Sequence, residues 1–96
     1  MNESHAEIKD VCDDIQNKLD EIAVDIRELP FNYNIIEEYS GIDHEVYEIY
    51  EWYEKNKQLL EKYESEKNAI NMRLKELERY TQFLNHKVQN FKYVKE

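Results

Sequence analysis

Ninety-six residues carrying 22 acids, 13 bases and a net charge of −9 allow one small domain, and a chain this short commonly supplements its core with a partner, a metal or disulfides. The single cysteine, Cys12, excludes an intrachain disulfide, and His5, His44 and His86 have no metal-ligand spacing, so neither a metal nor any other cofactor is expected. One glycine and one proline exclude turn-rich β and α/β folds and leave an all-α chain.

In chain order, Ser4 and Glu7 have the spacing of a capping box, and an apolar repeat follows at once. Ile8, Cys12, Ile15, Leu19, Ile22, Ile26 and Leu29 recur at alternating steps of four and three, which predicts a helix over residues 5–29 that stops at Pro30. Residues 30–43 read as a connection holding a short helix at 35–40. Asn34 and Glu37 cap it, and Gly41 closes it in a left-handed conformation. Asp43 is the expected cap of a second helix over residues 44–94, with Ile42 and Tyr47 as its hydrophobic staple. That helix carries an unbroken repeat at Val46, Ile49, Tyr53, Asn56, Leu60, Tyr63, Lys67, Ile70, Leu74, Leu77, Thr81, Leu84, Val88 and Phe91, the pattern of a coiled coil.

The two predicted helices are unequal, at roughly 37 and 77 Å for a rise of 1.5 Å per residue. An antiparallel hairpin leaves residues 71–96 projecting as a coiled-coil tail, with Leu74, Leu77, Leu84, Val88 and Phe91 uncovered. The same strip on a second copy is the simplest cover, so a single-domain hairpin that forms a homodimer is the expected architecture. Lys67 is expected to snorkel at the open end of the first helix. Residues 1–54 hold 16 acids against three bases and residues 55–96 hold six acids against ten, a polarity suited to head-to-tail pairing with another copy or an oppositely polar partner.

Eight of the twelve aromatic residues lie between Phe31 and Tyr63. Phe31, Tyr39, Tyr47, Tyr50 and Trp52 are expected to seal the hairpin end and to offer a partner-binding surface, since tyrosine and tryptophan join an apolar face to a polar edge. No phosphate loop, nucleophile–base pair or metal motif is present, so an enzyme is not expected. The leading functional reading is a non-enzymatic interaction module, a homo-oligomeric subunit or adaptor that binds an unknown protein through its aromatic, acidic end. The alternative is an acidic inhibitor of the phage or mobile-element kind. In that reading Asp10, Asp13, Asp14, Glu21, Asp25 and Glu28, with Glu45, Glu48 and Glu51, imitate phosphates in the nucleic-acid site of a target enzyme. Direct nucleic-acid binding is not expected of so acidic a chain. No run of 18 apolar residues occurs, so no membrane partner is expected and a cytoplasmic location is the default.

Two helices joined by a bend in an acidic chain of 96 residues also resemble, in layout, the Trp-x-Gly family of small type VII secretion substrates and their helical chaperones. Trp52 is followed by Tyr53 and Glu54 where that family has its glycine, so the likeness implies a hairpin and transfers no residue role.

Overall fold

The computed structural model describes residues 3–60 and 62–93, with side chains described from Ile8 to Lys92 apart from Glu61. Among these residues there are three helices and no strand: α1 over Glu3–Arg27, α2 over Tyr33–Leu60 and α3 over Glu64–Tyr93. The stripe expected on α1 is its core face, with Ile8, Cys12, Ile15, Leu19 and Ile22 buried and Ile26 and Leu29 packed beside them. Burial pushes the Cys12 thiol up to about 11, so it packs as a small neutral side chain. The Glu28 and Leu29 amides donate to the Asp25 and Ile26 carbonyls at 3.0 and 3.1 Å, a tightened last turn just ahead of Pro30. The helix already runs at Glu3, and the side chains of the Ser4–Glu7 capping box lie outside the described residues.

The connection is far shorter than residues 30–43. Asn32 caps α2: its Oδ1 accepts from the Ile35 amide and its carbonyl accepts from the Ile36 amide, both at 3.1 Å. The helix then passes straight through Gly41, which has no positive φ, and through Asp43, the expected cap. The physical reason is a repeat that extends upstream of Val46. Ile35, Tyr39 and Ile42 continue its steps of four and three, and burying two isoleucines at about 1.5–3 kcal/mol each outweighs about 1 kcal/mol for a mid-helix glycine.

The larger correction lies downstream. The expected 44–94 helix folds back after Leu60: the Lys62 and Tyr63 amides donate to the Leu59 and Leu60 carbonyls at 2.9 and 3.3 Å, and the Lys67 amide donates to the Tyr63 carbonyl at 3.1 Å. The backbone already departs from helical angles at Asn56, with φ −122° and ψ 15°, where the side-chain amide donates to the Trp52 carbonyl at 2.9 Å. Helices of 25, 28 and 30 residues, roughly 37, 42 and 45 Å long, replace one short and one long rod, and the length mismatch disappears.

The result is an up-down-up bundle extending 55 × 17 × 17 Å. Gln16 of α1 donates to Asp43 of α2 at 3.2 Å, and Asp25 near the end of α1 accepts from Gln89 and Lys92 near the end of α3 at 2.8 and 3.1 Å. Leu74, Leu77, Leu84 and Val88 are therefore buried inside the chain, against α1 and α2, and residues 71–93 are not a projecting tail. The strip that called for a second copy is covered; only Phe91, 46% exposed, stays partly open. The charge polarity is also satisfied internally, because α3 sets Arg73 on Glu45, Lys87 on Glu38 and Lys92 on Asp25. Lys67 and Thr81 complete the core face of α3: Thr81 Oγ1 donates to the Leu77 carbonyl at 2.7 Å, and the Lys67 ammonium lies 3.7 Å from the exposed carboxylate of Glu64.

Candidate functional site

Three helices leave a groove wherever two neighbouring cylinders meet, and the one between α2 and α3 holds a series of recesses. Its floor is the buried pair Ile42 and Leu77. Gly41 forms a low wall on α2, and Tyr80 and Phe83 stand on α3, with Phe83 58% exposed. An ion pair links α2 to α3 at each end of this stretch: Lys87 Nζ lies 2.6 Å from Glu38, and the Arg73 guanidinium binds both carboxylate oxygens of Glu45, its Nη2 contact being 2.8 Å. This stretch of open groove has a volume of about 390 Å³. Arg73 also reaches Glu76 at 2.8 Å and sits 5.8 Å from the Tyr80 ring, so one cation fixes both the rim and an aromatic wall.

The groove continues past each ion pair. Beyond Glu45 a recess of about 430 Å³ is lined by Ile49, Trp52 and Ile70 with Glu48 and Glu66; beyond Glu38 and Lys87 a recess of about 200 Å³ reaches Asn32, Asn34, Ile35 and Phe91. The hydrogen bonds from Arg73 hold the Glu45 carboxyl below the ordinary carboxylate value, and those from Lys92 and Gln89 do the same for Asp25. A carboxylate depressed in the folded state stabilises the fold above its unfolded pKa, and that contribution is lost as pH falls through the folded value. Arg73→Gln is accordingly expected to cost about 1 kcal/mol at pH 7, and the stability gap to wild type should close as pH drops below about 4. Urea midpoints of both chains from pH 7 to 3 check this; a gap that does not change with pH would contradict it.

Gly41 is the chain's only glycine, it lies mid-helix, and a β-carbon placed on it would meet nothing within 4 Å. The fold makes no use of the missing side chain. Gly41→Ala is expected to raise stability by about 0.5–1 kcal/mol, read as a higher melting temperature, since it removes only backbone freedom from the unfolded chain. No change or a loss would mean that Gly41 is required by packing after all.

The expected aromatic patch is dispersed. Phe31, 81% exposed, projects from the α1–α2 turn, and the 19 helical steps from Tyr33 to Trp52 separate it from Trp52 by roughly 29 Å. Tyr39 and Tyr50 turn toward α1: burial and Asp43 with Asp20 raise the Tyr39 hydroxyl pKa, and the Tyr50 hydroxyl bonds Glu54 near Lys9. Tyr47 is exposed beside Glu51, about 140° around the helix from Trp52, and only Trp52 reaches the α2–α3 groove.

The acidic face is likewise divided. Asp10, Asp13, Asp14 and Glu21 are exposed on the outer side of α1 and Glu28 is exposed just past its end, with Asp13 paired to Lys9 and Glu21 to Lys18. Asp25 and Glu45 are instead engaged by α3. Tyr80 and Phe83 were not singled out by the repeat because they lie off its seam; an apolar pair three residues apart at non-seam positions was the available signal.

Among the described residues no group of three or more histidine, cysteine or acidic side chains is placed to hold a metal, and no helix is long and apolar enough to cross a membrane. Comparison with protein-family models, characterised proteins and solved structures finds no match to this chain. The three-helix arrangement also departs from the two-helix layout on which the likeness to small type VII secretion substrates rested.

Proposed function

We propose that this protein is a non-enzymatic interaction module that receives a segment of a partner protein in the groove between α2 and α3. The observation that carries the reading is Gly41. A residue that weakens its own helix, with open space where its side chain would be, stands opposite two exposed aromatic rings over an apolar floor. Glycine in that position lets another backbone approach closely, and exposed aromatic rings beside a pocket are the residues that dominate protein interfaces. Every cation lining the central groove is paired with a carboxylate there, and no nucleophile with an adjacent base lines it, so the arrangement supports binding rather than covalent chemistry.

The test is Gly41→Leu, which fills the groove from an open position without entering the core. Circular dichroism is expected to show unchanged helicity and a melting temperature no lower than wild type. Affinity capture run in parallel on the two chains is expected to yield proteins retained by wild type and lost by the variant. Identical captured sets from the two would contradict the reading.

A further inference from the structure

Resting on that reading, we infer that the occupant of the groove is a basic amphipathic helix of a partner protein, with a lysine or arginine seated in the recess at Trp52. The walls are two antiparallel helices of nearly equal length, and a third rod laid along the furrow between them is the shape that fills it. The charge changes along the furrow. At Gly41 the ions cancel, Glu38 with Lys87 and Glu45 with Arg73. At Trp52 the lining is three carboxylates, Glu45, Glu48 and Glu66, and no cation.

Glu45 is committed to Arg73, Glu48 has His44 one turn away at 3.1 Å, and Glu66 has no ion pair among the described residues. A tryptophan ring beside Glu48 and Glu66, with no lysine or arginine in the lining, favours a guanidinium or ammonium group, through the ring face and through charge-assisted hydrogen bonds. Gly41 and Trp52 are 11 residues apart on α2, roughly 16 Å, so the occupant carries an apolar anchor and its basic residue about three turns apart.

Trp52 is the only tryptophan in the chain, and its emission reports directly on the recess. The experiment titrates the full-length protein with two model helices of about 18 residues, both with leucine at i, i+3, i+4 and i+7, one otherwise lysine and the other glutamate. The lysine helix is expected to shift Trp52 emission and to bind at least about tenfold more tightly than the glutamate helix. Glu48→Gln with Glu66→Gln is expected to weaken it about tenfold, whereas Asp10→Asn with Asp14→Asn, the same change in net charge on the outer side of α1, should alter affinity by no more than about twofold.

Equal affinity for the two helices overturns the inference about charge and leaves the groove reading standing. Equal weakening by the two double variants overturns the placement at Trp52. Undiminished binding to Gly41→Leu overturns the groove reading itself. A mass of twice 11.8 kDa that Phe83→Glu abolishes would put a second copy in the groove and overturn the assignment to a foreign helix.

Discussion

Truncating Leu84 to alanine is expected to cost about 2–5 kcal/mol, a large part of the roughly 5–15 kcal/mol that holds a small domain together. Leu84 is 0% exposed in the middle of α3, and removing its methyl groups leaves a cavity walled by α1 and α2 that close packing cannot refill. Phe83, the preceding residue, faces the groove, and Phe83→Ala should stay within about 1 kcal/mol. Urea denaturation of both variants decides between a covered and an uncovered α3. Were the seam of α3 free in solution, Leu84→Ala would cost no more than its neighbour.

Lys67→Met is expected to act in the opposite direction and stabilise the bundle by about 1–2 kcal/mol. Lys67 is 4% exposed at a core position, and its ammonium has one carboxylate, Glu64, at 3.7 Å, longer than a good charge-assisted hydrogen bond. Methionine keeps the unbranched stem and removes the charge that must otherwise be kept near water. Glu64 remains in the first turn of α3, where its charge still favours the helix dipole. A raised urea midpoint with an unchanged slope is the predicted result. A lowered midpoint would mean that the ammonium contributes more than its desolvation costs.

Most of the core was legible in the sequence, because the positions that repeat at steps of four and three are buried from Ile8 to Ile22 and, for the most part, from Val46 to Val88; Ile49, Asn56 and Ile70 are half-buried, and Tyr63, in the turn, is exposed. What periodicity does not report is where a chain reverses. A heptad register persists through the turn after Leu60 as readily as through a straight rod, since each half presents the same stripe to its neighbours. The signal that marks the turn is electrostatic: Lys55, Lys57 and Lys62 are followed by Glu64 and Glu66, bases closing one helix and acids opening the next.

Gly41 misled for a related reason. Glycine is a good helix stop when the apolar stripe ends with it, but Ile35, Tyr39 and Ile42 carry the stripe across. The groove was legible only in part. The chemistry of Trp52 alone suggests a binding residue, while Tyr80 and Phe83 acquire their role from the fold-back that brings α3 beside Gly41.

That fold-back carries both the buried seam and the groove, and small-angle X-ray scattering of the full-length protein tests it most directly. The bundle predicts a particle of 11.8 kDa with a radius of gyration near 15.4 Å. A helix running unbroken from residue 33 to residue 93 would instead show a maximum dimension of roughly 90 Å, and that result would contradict the account.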